Sequence, residues 1–87
     1  MKEFSLKIST PAGDAYDGPA TFLSVRGTEG SIGILAGHIP FVTVLKPADC
    51  HFTAPDGTEK LFKCGSGLLL VEKEFVTVLS SEITLGE

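Results

Sequence analysis

Two imidazoles, two thiols, a glycine-rich run and a pair of nearby carboxylates are the groups in this chain whose chemistry asks to be examined first. Nucleophilic catalysis needs a Ser, Thr or Cys within reach of a base, and His38 and His51 are the imidazoles on offer. His51 shares an outward, polar strand face with Asp49 and Thr53, which is the setting of an ordinary surface histidine. His38 stands in the turn Gly37-His38-Ile39-Pro40, where packing or a partner contact is favoured over catalysis. A metal site needs three or four clustered ligands, whereas these two His and two Cys are scattered over different strands. The run Gly27-Thr28-Glu29-Gly30-Ser31-Ile32-Gly33 is followed by neither a Lys-Ser/Thr pair nor a helix, so it reads as a turn whose glycines take positive φ, not as a phosphate cradle. Glu72 and Glu74 sit at a hairpin end as solvated charges, and without a pocket they make no acid/base pair. Catalytic residues, metal ligands and cofactor contacts are therefore all expected to be absent.

The elements that would hold these groups are strands. Period-2 alternation recurs between Gly, Pro and Asp punctuation along the chain, and helical spacing is missing. Glu3 to Ser9 puts Phe4, Leu6 and Ile8 on one face and Ser5 and Lys7 on the other. A short segment follows at Ala15 to Asp17, and Gly18-Pro19 is expected to break the chain there. Ala20 to Arg26, Ser31 to Leu35 and Phe41 to Leu45 come next. Phe41 to Leu45 is apolar on both faces, which suits either a central strand or one lying against a partner. Ser66 to Glu72 and Phe75 to Ser80 close the series.

Ala54-Pro55-Asp56-Gly57 is the clearest local signal. Pro presets the first turn residue, Asp favours the second, and Gly takes φ > 0, giving a type I turn closed by a glycine bulge. The register that follows sets Phe52 against Lys60, Cys50 against Phe62 and Ala48 against Cys64, so Ala48, Cys50, Phe52, Phe62 and Cys64 share a face. Cys50 and Cys64 become diagonal neighbours roughly 7–8 Å apart, near or beyond disulfide reach, and are expected to be buried free thiols. The predicted fold is an all-β, two-sheet antiparallel β-sandwich of about ten short strands, one domain over residues 1–87.

Composition narrows the partners. Seven Lys plus Arg against eleven Asp plus Glu give a net charge of -4, without the basic stripe that nucleic acid requires. The longest apolar run, Leu68-Leu69-Leu70-Val71, is far short of the ~20 residues of a membrane-spanning helix. Met1-Lys2-Glu3 leads straight into alternation, so a signal peptide is not expected.

From Gly27 to Pro47 the chain reads Gly-Thr-Glu-Gly-Ser-Ile-Gly-Ile-Leu-Ala-Gly-His-Ile-Pro-Phe-Val-Thr-Val-Leu-Lys-Pro. This resembles the β domain of the epsilon subunit of F-type ATP synthase, with its Gly-Ser/Thr-Glu-Gly-x-x-Gly-Ile-x-x-Gly-His-x-Pro-x-x-Thr-x-Leu-Lys-Pro stretch. Ser9-Thr10-Pro11, Asp17-Gly18, Ser66-Gly67 and Val76-Thr77-Val78-Leu79 match in the same order. Departures are Ser31 where the family often has an acidic residue, Ala36 for a usual Pro, and Ser81 for an acidic residue. The resemblance implies a two-sheet sandwich and a non-catalytic rotor subunit, monomeric when isolated, that couples ion translocation to ATP synthesis. It implies two partners and a place on the cytoplasmic side of the membrane, as a peripheral part of the complex. The loop carrying Glu29, Gly30 and Ser31 would meet the ring of c subunits; Thr10, His38, Val42 and Thr43 would face the gamma subunit. The family's C-terminal helical hairpin should begin a few residues beyond Leu79, and with Glu87 as the last residue the inhibitory helical arm is expected to be missing. The competing expectation is a free-standing β-sandwich module that binds a small ligand or sugar.

Overall fold

The computed structural model describes residues 2–37 and 39–85. Along them run β1 (Phe4–Thr10), β2 (Gly13–Ala20), β3 (Phe22–Gly27), β4 (Gly30–Leu35), β5 (Phe41–Leu45), β6 (Ala48–Thr53), β7 (Glu59–Cys64), β8 (Gly67–Val71), β9 (Phe75–Ser80) and β10 (Ile83–Leu85). Hydrogen bonding links them in the order β10-β7-β6-β3-β5-β8-β9-β1-β2, with β4 on the other side of β3. The ladder has a seam: β3 and β5 meet through one pair, Gly27 with Leu45, backed by a bond from the Lys46 N–H to the Arg26 carbonyl of 3.0 Å. The seam divides the strands into two layers, β5-β8-β9-β1-β2 and β4-β3-β6-β7-β10, as a sandwich requires.

Alternation decides what lies between the layers. Phe4, Leu6 and Ile8 of β1 are buried and Ser5 and Lys7 exposed. Val76 and Val78 of β9, with Leu69 and Val71 of β8, continue that inner face, and Leu23, Val25, Ile34, Cys50, Phe52, Phe62 and Cys64 supply the other layer. Tyr16 of β2 packs its ring on Phe52 with centroids 4.4 Å apart, and Phe52 meets Phe62 at 6.1 Å. These rings pack β2 of one layer against β6 and β7 of the other.

The β6–β7 hairpin has the expected register, with Ala48 opposite Cys64, Cys50 opposite Phe62 and Phe52 opposite Lys60. Its turn is closed by the Gly57 N–H on the Ala54 carbonyl at 2.9 Å and the Ala54 N–H on the Thr58 carbonyl at 2.8 Å. Gly57 takes φ +92°, the left-handed region that a side chain would disfavour.

Three local features differ from expectation. Gly18-Pro19 does not break the chain: β2 runs through both, pairing Gly18 with Leu6 and Pro19 with Ser5. Since β2 ends the ladder, the missing Pro19 N–H costs no hydrogen bond there. β1 and β9 are parallel, whereas the other pairings are antiparallel. In the glycine-rich run, Gly30 has positive φ but Gly27 and Gly33 do not; a Cβ on Gly33 would lie 3.2 Å from the Phe22 ring. Gly33 there gives room to a neighbour and does not shape a turn.

Candidate functional site

The surface that stands out is the outer face of the β5-β8-β9-β1-β2 layer. On β5, Leu45 is buried and Phe41 packs against the core, while Val42 and Val44 are 63% and 51% exposed. The choice that the sequence left open for this strand is thereby settled in favour of an outward apolar row. Register extends the row across the layer: Val44 pairs with Leu68, Leu68 with Leu79, and Leu79 with Ser9. Val42 pairs with Leu70, Leu70 with Thr77, and Thr77 with Lys7. Leu68 and Leu79 are exposed and Leu70 half-buried. Beyond them the face turns polar, with the Lys7 ammonium 3.7 Å from the Asp14 carboxylate. An apolar patch of this kind, bordered by charge on the β1–β2 side, suits a protein interface.

Of the residues implicated by resemblance, Val42 lies on this face, and Thr10 stands at its end. The Thr10 hydroxyl donates to the Gly13 carbonyl at 3.0 Å and accepts from the Ala12 N–H at 3.2 Å, holding the β1–β2 turn. Thr43 alternates with Val42 and so lies on the opposite side of β5; it borders a polar hollow of about 320 Å³ with the Gly27–Ile32 segment. Glu29, Gly30 and Ser31 are on that segment, the β3–β4 hairpin, which Gly27 and Gly30 close as a pair. The structure thus leaves Thr10 at the end of the layer, three strands along from Val42, and places Thr43 with the loop. His38 lies outside the described residues. Leu68, Leu70 and Leu79 escape sequence reasoning, although the run Leu68-Leu69-Leu70-Val71, apolar on both faces like Phe41 to Leu45, carries the same signal.

His51 and the two thiols have partners within the domain. His51 Nε2 is 3.5 Å from a Glu59 carboxylate oxygen on the neighbouring strand, and its ring lies 5.7 Å from that of Phe22. Cys50 and Cys64 are free and buried; the Cys64 thiol donates to the Gly65 carbonyl at 3.2 Å and the Cys50 thiol to the Ala48 carbonyl at 3.7 Å. Contact with Cys64, then burial, pushes the Cys50 thiol above its ordinary range. The same contact pulls Cys64 down against the opposing effect of its own burial. Among the described residues no three His, Cys, Asp or Glu side chains come together as a metal site.

Comparison with known proteins gives this geometry a context. The model of the ATP synthase delta/epsilon chain β-sandwich domain matches residues 3–86. Proteins named ATP synthase epsilon chain from Psychrobacter sp. (strain PRwf-1) and Psychrobacter cryohalolentis are each 36% identical over 80 residues, covering 92% of this chain and 58% of theirs. The chain therefore spans less than two thirds of those relatives' length. Among solved structures, a chain of the Euglena gracilis mitochondrial ATP synthase, in an assembly described as OSCP/F1/c-ring, superposes with a TM-score of 0.90 at 21% identity, over 95% of this chain and 53% of that one. A chain of the Tetrahymena thermophila mitochondrial ATP synthase central stalk and c-ring gives 0.77 at 13% identity, over 94% and 66%. At those identities the superpositions speak for the fold, and the family assignment comes from the match over residues 3–86: this chain belongs to the ATP synthase delta/epsilon chain β-sandwich domain family.

Proposed function

We propose that this domain is the β part of an epsilon-type subunit in the central stalk of an F-type ATP synthase. It performs no bond chemistry itself. It binds the gamma subunit and rests on the ring of c subunits, so that rotation driven by ion flow reaches the catalytic head. The observation that carries this reading is the family match across residues 3–86, and the uncovered apolar face around Val42, Val44, Leu68 and Leu79 gives it a physical surface. A part that transmits torque needs a preorganised, shape-matched interface, and a β layer whose register is fixed by a packed inner face supplies one.

In this reading Thr10, His38, Val42 and Thr43 contact gamma, Val42 from the outer face of β5 and Thr43 from its opposite side, beside the β3–β4 hairpin. Glu29, Gly30 and Ser31 meet the c ring from the tip of the β3–β4 hairpin. No helix among the described residues is long and apolar enough to cross a membrane; the partners hold the domain at the cytoplasmic membrane surface. The test is co-purification: the tagged full chain, recovered from detergent-solubilised membranes, should bring down gamma and c subunits in fixed proportion. Recovery as a monomer free of both would overturn the reading and favour a free-standing ligand-binding module.

A further inference from the structure

At the end of the outer apolar face lies an open hollow of about 430 Å³, bordered by Ser9, Thr10 and Pro11 on one side and by Gly67, Leu68, Leu79, Ser80 and Ser81 on the other. We propose that this hollow is an anchor pocket, into which the gamma subunit inserts one large uncharged apolar side chain. The inference rests on the reading that this face meets gamma, and adds to it where the tightest contact falls and what fills it.

Two observations select that occupant. None of the lining residues is ionisable, so no charge is provided for an anion or cation. Three of the four hydroxyls at the rim are already committed inside the domain, leaving that of Ser81: Ser9 bonds the Asp14 carboxylate, Thr10 is held in the β1–β2 turn, and Ser80 donates to the Glu82 carbonyl at 2.9 Å. A polyol or sugar would find few free hydrogen-bond partners, whereas an apolar group gains by burial against Pro11, Leu68 and Leu79. At Gly67 the floor is backbone against backbone: a Cβ there would lie 1.9 Å from the Leu79 carbonyl oxygen. The hollow is continuous with the Val44–Leu68–Leu79 row through Leu68 and Leu79 themselves. An anchoring side chain in a pocket, surrounded by weaker contacts that exclude water, is how binding energy is usually distributed across an interface.

The experiment titrates the full chain with purified gamma subunit of the same ATP synthase and compares four variants. Ser81→Trp plugs the hollow from its exposed rim, and Leu68→Ala removes one wall without adding bulk. Val42→Asp disturbs the face but not the pocket, and Lys63→Trp adds the same bulk on the outer face of the other layer. Circular dichroism and thermal unfolding verify that each is folded; if Ser81→Trp is not, Leu68→Ala decides. The expected result is a Kd raised about 10–100-fold by Ser81→Trp, raised by Leu68→Ala and by Val42→Asp, and unchanged by Lys63→Trp. Loss with Val42→Asp alone would overturn the pocket and leave the interface standing. No change in any variant would overturn both, and an equal loss with Lys63→Trp would show the tryptophan effect to be unrelated to the hollow.

Discussion

Gly67 shows how one residue type fixes a local geometry. It pairs with Ser80 on one side and Leu45 on the other, and the Leu79 carbonyl passes where its Cβ would be. Because the obstacle is backbone, no rotamer change relieves it. Gly67→Ala is expected to cost at least about 2 kcal/mol, seen as a drop of roughly 10 °C or more in Tm for a domain of this size. An unchanged Tm would mean that β8 and β9 separate more easily than their register suggests. Asp56 acts through charge instead. Its carboxylate accepts from the Thr58 N–H at 2.9 Å, and hydrogen bonding to Thr58 holds its pKa below the ordinary value. A lowered folded-state pKa means stabilisation that is complete above the unfolded-state value and is lost as pH falls through the lowered one. Tm should therefore decline as pH falls below the ordinary aspartate range of about 4, partly through this turn, and Asp56→Ala should flatten that part of the decline; thermal melts across acidic pH measure it.

At the scale of elements, the β6–β7 hairpin was legible because its turn chemistry and its alternation agree. Pro55, Asp56 and Gly57 fix the loop, and one register buries Cys50, Phe52, Phe62 and Cys64 together. The thiols follow: a thiol reagent should modify neither cysteine in the native protein and both in denaturant without reductant, whereas a count below two would reveal a disulfide. β2 was legible only in part, since Gly18 and Pro19 report local preference and cannot report that the strand lies at the end of the ladder. β10 is short, and its place beside β7, with Ile83 opposite Cys64, depends on a tertiary contact that no local pattern encodes. For the candidate site, alternation could show that β5 is apolar on both faces but not which face is covered. That is a property of the neighbouring layer, and Val42 and Val44 are left as an outward apolar pair once Leu45 and Phe41 are seen to point inward.

For the whole molecule, the prediction concerns coupling. An ATP synthase reconstituted without this subunit should show reduced ATP-driven ion pumping relative to ATP hydrolysis, and adding back the chain should restore the ratio. Unchanged coupling would contradict the stalk role. The parallel pairing of β1 with β9 has a further consequence, for the nascent chain. Ser5 pairs with Phe75 and Ser9 with Leu79, so β1 gains its second neighbour only when β9 has left the ribosome. Until then Phe4, Leu6 and Ile8 lack their cover, and the waiting edge of β1 is open to pairing with another chain. Chains halted before Phe75 are therefore expected to aggregate rather than to survive as a shorter working domain.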